Sequence, residues 1–220
     1  MIDAVIFDMD GLLVDSEPLW TEAMQEVFAT VGVEISAELA MKTTGLRTAE
    51  VVNYWYDYFK WQGKSKEQVA EEILASIQNK VQTEGVLMEG TSYILEFFKE
   101  RKVKIGLASS SPLQFINFTL QHFGLGSYFN AVASAEHEPY GKPHPAVYLS
   151  CAGQLNTDPL QCLAFEDSIN GMVAAKAARM KVVVVPEKHN RENQRYALAD
   201  IKLDSLFEFC ETTLLELGRR

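Results

Sequence analysis

Carboxylates occur in two pairs, and each pair directly follows a short apolar run. Asp8 and Asp10 come after Ala-Val-Ile-Phe, and Glu166 and Asp167 come after Cys-Leu-Ala-Phe. Such runs are typical of strands buried in a parallel sheet, whose carboxyl ends share one edge, so we expect the four carboxylates to converge. Crowded like charges raise each other's pKa unless a cation compensates them. A hard cation with oxygen ligands fits, and Mg²⁺ is favoured because it accepts few protein ligands alongside water and phosphate.

Hydroxyl groups and one ammonium group follow two further apolar runs. Ser109 and Ser110 come after residues 103–108, and Lys142 lies in Gly-Lys-Pro-His-Pro beyond residues 131–134. Lys142 can neutralise phosphoryl oxygens, while the Ser109 hydroxyl and the backbone N–H of Ser110 at a helix start can donate hydrogen bonds to them. Phosphoryl transfer also needs a nucleophile, and a carboxylate can serve by forming an aspartyl-phosphate. These groups together predict a site for a phosphate monoester.

Each motif also has a simpler explanation when it is taken alone. The first carboxylate pair could belong to a turn closed by an aspartate side chain, and Ser109 could only cap the helix that follows. Lys142 could be a solvated surface lysine. The second carboxylate pair could merely precede a helix, where acidic residues favour the helix dipole. The chemical interpretation therefore depends on the motifs meeting at one place.

The elements that must position these side chains alternate along most of the chain. Runs rich in Val, Ile, Leu and Ala predict strands at 4–7, 103–108, 131–134, 162–165 and 182–185, with a weaker pattern at 200–203. Amphipathic stretches between them predict helices at 92–101, 112–123, 145–155 and 169–179. This alternation predicts an α/β fold, a doubly wound Rossmann-like parallel sheet with right-handed crossovers.

Residues 16–85 interrupt the alternation. They show no buried-strand pattern, contain all three tryptophans, and predict helices at 17–31, 37–43, 48–59 and 66–83. We therefore expect an all-helical cap domain at 16–85, inserted into a core domain formed by 1–15 and 86–220. A cap that closes over a site excludes water and contacts the part of a substrate beyond its phosphate. Arg47 follows Gly-Leu in a turn of this interval, where it could bind substrate hydroxyls or phosphate or simply face solvent.

The composition restricts the partners of the chain. Its 220 residues carry a formal net charge of −10, so nucleic acids and anionic lipids are repelled, and binding one small anion requires local positive charge. Three cysteines without metal-binding spacing indicate small buried side chains in a reducing compartment. No signal peptide or membrane-spanning run is recognisable. We expect a soluble cytoplasmic protein that binds neither nucleic acid nor membrane, is a monomer by default, and depends strictly on its metal.

Four motifs in register resemble those of the haloacid dehalogenase (HAD) superfamily. Asp-Met-Asp-Gly at residues 8–11 is similar to its first motif, and Ser109, Lys142 and the pair Glu166-Asp167 match the second, third and fourth in order and strand context. The helical interval looks like the helical cap of that superfamily. The sequences around the motifs, such as Asp-Gly-Leu-Leu-Val-Asp-Ser-Glu-Pro and Gly-Lys-Pro-His-Pro, resemble the subgroup of sugar phosphatases and β-phosphoglucomutases.

The resemblance implies a role for each matching residue. Asp8 would be the nucleophile and a Mg²⁺ ligand, and Asp10 would be the general acid and then the general base, its backbone carbonyl also touching the metal. Asp167 would bind Mg²⁺ directly, and Glu166 would be a ligand or a hydrogen-bonded neighbour of one. The remaining motif residues would hold the phosphoryl group, namely Ser109, Ser110 and Lys142.

The implied activity is Mg²⁺-dependent hydrolysis of small phosphate monoesters through an aspartyl-phosphate. The expected substrates are hexose or related sugar phosphates, similar to 2-deoxyglucose 6-phosphate. A phosphohexomutase of the β-phosphoglucomutase type is the alternative. Mutases that resemble this chain have a histidine at the position of Trp20, where it takes part in acid–base control, and its absence here favours hydrolysis. A non-catalytic phosphate-binding regulatory module is a second alternative, against which every motif residue is present. A haloacid dehalogenase proper would lack Asp10 and needs no metal.

Overall fold

Six parallel strands form one sheet in the computed structural model, which describes residues 2–219. The strands are β1 (Ala4–Phe7), β2 (Lys104–Ser109), β3 (Ala131–Ser134), β4 (Cys162–Glu166), β5 (Lys181–Val184) and β6 (Ile201–Lys202). Their order across the sheet is β3-β2-β1-β4-β5-β6. The strands β1, β2 and β3 therefore follow one another from the centre of the sheet to one edge, and β4, β5 and β6 follow one another from the centre to the other edge. Ligands of such sheets bind beyond the strand ends where the order reverses, which here is between β1 and β4.

Helices cover both faces of the sheet. The α-helices of the described residues are α1 (Glu17–Ala29), α2 (Ala37–Ala40), α3 (Thr48–Phe59), α4 (Lys66–Glu84), α5 (Thr91–Glu100), α6 (Leu113–His122), α7 (Ala146–Gln154), α8 (Ile169–Ala177) and α9 (Glu211–Arg219). Val5 and Phe7 pack with α5, α6 and α9, whereas Ala4 and Ile6 pack with α7 and α8. This burial of alternate residues on opposite faces explains why the strands are continuously apolar in sequence.

The helices α1 to α4 lie between β1 and β2 along the chain and have a hydrophobic core of their own. Phe28, Trp55 and Trp61 are buried in it together with Ile73. The longest helix, α4, starts at a reciprocal cap, because the N–H of Gln68 donates to Ser65 Oγ at 3.2 Å and the N–H of Ser65 donates to Gln68 Oε1 at 2.9 Å.

The base of this helical segment also packs on the sheet. Leu19 of α1 and Val81 of α4 belong to the core that contains β1. The segment that joins β1 to α1 and the segment that joins α4 to α5 run side by side. The N–H of Asp15 donates to the Val86 carbonyl at 3.0 Å, and the N–H of Met88 donates to the Leu13 carbonyl at 2.9 Å. That residues 16–85 form a separate cap domain stays a prediction.

The predicted α/β fold with its doubly wound parallel sheet is confirmed. Three local differences remain. The helix predicted at 37–43 is divided into α2 and a short 3₁₀ turn, and the weak strand pattern at 200–203 yields only the two residues of β6. The helix α9 lies outside the predicted elements, although its Leu214 and Leu217 are spaced as in an amphipathic helix. Among the described residues, no helix combines the length and hydropathy needed to cross a lipid bilayer.

Candidate active site

The register of the central strands brings the two carboxylate pairs together. Phe7 of β1 is level with Phe165 of β4, and the N–H of Asp8 donates to the Phe165 carbonyl at 3.0 Å. The chain turns sharply after Asp10 at Gly11, which has a φ of 75°. A Cβ atom on Gly11 would also lie 2.4 Å from Asp167 Oδ2. Glycine at this position thus permits both the turn and the close approach of the second carboxylate pair.

Lys142 lies at the centre of the site. Its Nζ donates hydrogen bonds to Asp8 Oδ1 at 2.8 Å, to Glu166 Oε1 at 2.6 Å and to the Ala108 carbonyl at 3.0 Å. The residue is buried, so it is not the solvated surface lysine of the simpler explanation. Burial lowers the pKa of Lys142, but the carboxylates of Asp8 and Glu166 raise it by more, and the net direction is above its ordinary value. The ammonium group is therefore charged when it faces the cleft.

Glu166 is held from several directions. Its carboxylate accepts hydrogen bonds from the hydroxyl of Tyr148 at 2.6 Å and from the hydroxyl and N–H of Ser168 at 3.1 and 3.3 Å. The first turn of α8 leaves room for it only because residue 171 is glycine. A Cβ on Gly171 would lie 1.8 Å from Glu166 Oε1. Glu166 is fully buried as a result, and its orientation is fixed by its neighbours.

Three carboxylates could hold a metal ion. Oxygen atoms of Asp8, Glu166 and Asp167 lie within 4.8 Å of one another. Burial raises the pKa of Asp8 to about 7 in spite of the opposing effect of Lys142, and it raises the pKa of Asp167 well above its ordinary value. The Oδ1 atom of Asp167 is buried without a hydrogen-bond partner among residues 2–219. An oxygen-ligand cation would satisfy that atom and compensate the crowded charges, so the donor set fits a hard divalent ion.

The carboxylate of Asp10 points toward the helical segment instead. Its Oδ1 accepts hydrogen bonds from the Ser16 hydroxyl at 2.7 Å and from Trp20 Nε1 at 3.0 Å. Its Oδ2 accepts from the hydroxyls of Ser111 at 2.7 Å and Ser109 at 3.5 Å. The two aspartates of the first motif therefore have different surroundings. A contact of the Asp10 backbone carbonyl with a metal stays a prediction.

A cleft with an empty volume of about 720 Å³ lies above these groups. The strand ends contribute its polar floor, which includes Asp8, Asp10, Lys142 and Asp167. The helical segment contributes the opposite wall, in which polar and apolar side chains are mixed. This wall consists of Glu17, Trp20, Thr21, Met24, Thr43, Thr44, Leu46, Thr48, Val51 and Ile73 together with Gly45. The arrangement provides a charged end for a phosphate and a larger mixed region for the rest of a ligand.

Ser110 and Arg47 are placed differently from the other predicted residues. Ser110 lines the cleft, but its hydroxyl donates to the Gly45 carbonyl of the helical segment at 2.8 Å, and α6 begins only three residues later. Arg47 does not line the cleft. Its guanidinium donates to the carbonyls of Ala135 at 3.3 Å and Glu138 at 2.9 Å and pairs with Glu50 at 2.5 Å. These protein acceptors take up the two terminal nitrogens of the guanidinium, whereas its Nε has no partner among the described residues. A substrate-binding role for Arg47 stays a prediction.

Several side chains at the site were not singled out as functional from the sequence. Ser16 and Ser111 donate hydrogen bonds to Asp10, Tyr148 donates one to Glu166, and the hydroxyl of Tyr196 donates to the Asp167 carbonyl at 2.6 Å. Glu17 lines the cleft, where burial first and then the charge of Asp10 raise its pKa to about 8. Serine before a helix is an ordinary cap, and glutamate in a first turn favours the helix dipole, so neither position carries a distinctive local signal.

Comparisons with known proteins relate the whole chain to phosphate chemistry. The sequence profile of the haloacid dehalogenase-like hydrolases matches residues 2–179. Hexitol phosphatase B of Escherichia coli K12 is 47% identical over 213 residues, which cover 96% of each chain. A β-phosphoglucomutase from Clostridium difficile has a TM-score of 0.87 at 26% identity, covering 100% of this chain and 98% of that one. A CbbY variant from Rhodobacter sphaeroides in complex with xylulose-(1,5)bisphosphate has a TM-score of 0.87 at 25% identity, with 94% and 96% covered.

Proposed function

The chain belongs to the haloacid dehalogenase-like hydrolases, and from this premise we propose that it is a Mg²⁺-dependent phosphatase of hexose and hexitol phosphates. It is a phosphoric monoester hydrolase. The observation that carries the proposal is the position of Lys142, whose ammonium group bridges Asp8 and Glu166 beside a three-carboxylate cluster. This arrangement supplies positive charge, a nucleophilic carboxylate and metal ligands at one point of an otherwise acidic protein.

Asp8 is the proposed nucleophile. One of its carboxylate oxygens forms a bond to phosphorus while the bond between phosphorus and the ester oxygen breaks, which leaves an aspartyl-phosphate. Lys142 lies within hydrogen-bond distance of Asp8, so its ammonium group can stabilise the negative charge of the phosphoryl oxygens during the transfer. Ser109 and the backbone of Ser110 lie at the same end of the cleft and would donate hydrogen bonds to those oxygens.

Asp10 is the proposed acid and base. In the first step its carboxyl group gives a proton to the departing alkoxide, and in the second step it takes a proton from the water that attacks phosphorus and releases Asp8. The hydrogen bonds from Ser16, Trp20 and Ser111 hold this carboxyl group in one orientation. Two of these donors come from the start of the helical segment, so that segment helps to orient the acid that protonates the leaving group.

The divalent ion would be held by Asp8 and Asp167, with Glu166 as a ligand or neighbour. When bound, Mg²⁺ supplies positive charge beside the phosphoryl oxygens and compensates the carboxylates. Without it, only Lys142 compensates the crowded carboxyl groups, and those that are ionised would repel a phosphate dianion. The 47% identity to hexitol phosphatase B and the threonine-rich wall of the cleft support the proposed substrate class. Every group of the proposed site belongs to this chain, so the chemistry needs no second copy, and we propose a monomer.

A panel of phosphorylated metabolites tests the proposal, with phosphate release measured in Mg²⁺ and in EDTA. We expect hydrolysis of sorbitol 6-phosphate and 2-deoxyglucose 6-phosphate with Mg²⁺ and none with EDTA. Asp8→Asn should abolish turnover while the circular dichroism spectrum and Tm stay those of a folded protein. Retention of more than a few per cent of the activity would remove Asp8 from the nucleophile's role. A stalled aspartyl-phosphate without turnover on any ester would instead indicate a regulatory module.

The mutase alternative is favoured by the structural similarity to β-phosphoglucomutase. Trp20 argues against it, because an indole N–H can donate to Asp10 but cannot exchange a proton as a histidine can. The discriminating assay supplies β-glucose 1-phosphate, Mg²⁺ and a bisphosphate activator. We expect phosphate release to exceed formation of glucose 6-phosphate, and efficient isomerisation would contradict the phosphatase proposal.

A further inference from the structure

Glu17 is a polar residue of the cleft that the proposed chemistry does not use. It is the first residue of α1, and its side chain lines the wall opposite the strand ends. Burial and the charges of Asp10, Glu187, Asp8 and Asp15 all disfavour its ionised form. The side chain is half-buried in the cleft wall, and no hydrogen bond or ion pair joins its carboxyl group to another side chain among residues 2–219. A ligand that offers a hydrogen bond would relieve that cost.

The position of Glu17 is close to where a leaving group must lie. A Cβ on Gly11 would lie 3.2 Å from Glu17 Cγ on one side and 2.4 Å from Asp167 Oδ2 on the other, so the two side chains face the same turn. The charge of Asp10, the proposed acid, is the strongest of those acting on Glu17. Glu17 therefore flanks the path from the phosphoester into the wider part of the cleft.

The neighbouring side chains indicate what kind of leaving group this wall accommodates. Thr21 lies one helical turn after Glu17 and shares its face of α1. Thr43, Thr44 and Thr48 also line the cleft, together with apolar side chains such as Met24 and Val51. Carboxyl and hydroxyl groups interleaved with apolar surface complement a carbon chain that carries several hydroxyls.

We propose that Glu17 is a specificity-determining residue, which hydrogen-bonds a hydroxyl of the substrate's carbon chain next to the phosphoester. This assignment rests on the proposed sugar and hexitol phosphatase function. A hydroxyl both donates and accepts, so it pairs with this carboxyl group in either protonation state. A substrate without hydroxyls leaves Glu17 unpaired in the closed cleft, and such sites discriminate strongly against analogues that lack the bonding group.

The test compares two six-carbon esters, sorbitol 6-phosphate and n-hexyl phosphate, which differ in their hydroxyl groups. The variants are Glu17→Leu, which removes the hydrogen-bonding group, and Glu17→Gln, which keeps one. Loss of a hydrogen bond of this kind predicts a fall in kcat/KM of about 10- to 100-fold for sorbitol 6-phosphate with Glu17→Leu. We expect n-hexyl phosphate to change by less than about threefold, and Glu17→Gln to retain most of the activity on both esters.

Glu22→Leu is the matched control, because Glu22 lies on the same helix with an exposed side chain that pairs with Lys80. It should change neither substrate. An equal loss on both esters with Glu17→Leu, no loss on sorbitol 6-phosphate, or a higher Mg²⁺ requirement in Glu17→Gln would overturn the assignment. Both Glu17 variants remove a repelled carboxyl group, so their Tm should not fall. The wild-type enzyme on sorbitol 6-phosphate tests the proposed function separately, and only the variants test Glu17.

Discussion

Replacing Lys142 by methionine tests the electrostatic design of the site. Lys142 Nζ lies 2.8 Å from Asp8 and 2.6 Å from Glu166, and the three side chains are 1%, 10% and 0% exposed. Methionine fills a similar volume without a charge. The substitution therefore leaves two carboxylates buried beside Asp167 with no cation among their protein neighbours. Such groups must then be protonated or remain charged at a high cost in free energy.

The expected magnitude follows from the burial of the pair. Removing one partner of a buried ion pair costs about 3–5 kcal/mol, which is a large part of the ~5–15 kcal/mol that stabilises an ordinary domain. For a chain of 220 residues this corresponds to a fall in Tm of about 6–20 °C. The loss should be greatest above neutral pH in EDTA and smaller in Mg²⁺, because protons or the metal ion can replace the missing positive charge.

Lys80→Met is the matched control. Lys80 also pairs with two carboxylates, Glu22 at 3.1 Å and Glu26 at 2.8 Å, but those partners are 52% and 58% exposed. Solvent-exposed pairs of this kind contribute about 0–1 kcal/mol. Equilibrium urea unfolding followed by circular dichroism, in EDTA and in Mg²⁺, measures both variants. The two lysines thus differ mainly in the solvent access of their partners.

A free-energy loss for Lys142→Met no larger than that for Lys80→Met would refute the reasoning. A double variant tests the same reasoning if Lys142→Met alone does not fold. Adding Glu166→Gln to Lys142→Met removes one uncompensated carboxylate, so the double variant should be more stable than Lys142→Met alone. If it is less stable, the buried charges are not the cause of the loss.

Two further predictions concern the same cluster. Gly171→Ala places a Cβ 1.8 Å from Glu166 Oε1, so we expect lost activity and a lower Tm, whereas Gly153→Ala, with no atom within 4 Å of its Cβ, should change neither in the same phosphatase and thermal assays. Burial raises the pKa of Asp8 from its ordinary value of 3.8 to about 7, so the stability that its protonated form confers is complete below pH 4 and is lost as the pH rises through 7. The increase in Tm caused by Mg²⁺ should therefore grow between pH 5 and 8, and a constant increase would contradict the assignment of Asp8 to the metal cluster.

The strands and the polar residues near their ends could be predicted from the sequence, because both depend on residues that are close together along the chain. Each buried strand is a short apolar run, and polar residues of the site come at the ends of β1, β2 and β4, whereas Lys142 lies in the loop beyond β3. The parallel arrangement then follows from the intervening helices, since such crossovers place equivalent strand ends at one edge. This is why Asp8, Lys142 and Asp167 could be predicted to meet before any distance was known.

Other parts of the site depend on contacts between residues that are distant along the chain. Tyr148 is one apolar position of an ordinary helix until α7 packs against the sheet and its hydroxyl reaches Glu166. Arg47 has a plausible substrate-binding position in sequence, and only the fold places the Ala135 and Glu138 carbonyls beside its guanidinium. No pattern within either segment encodes these partners.

The sequence by itself determined the α/β class, the helical insertion and the chemistry of the strand ends, because these depend on periodicity and on residues adjacent to each strand. Only the tertiary structure decided which side chains each charged group of the site contacts. It oriented Asp10 toward Ser16 and Trp20, buried Lys142 between two carboxylates, and placed Glu17 in the cleft wall without a hydrogen bond from another described side chain. The physical reason is that burial and Coulomb interactions depend on distances in space, which neighbouring positions in a sequence do not specify.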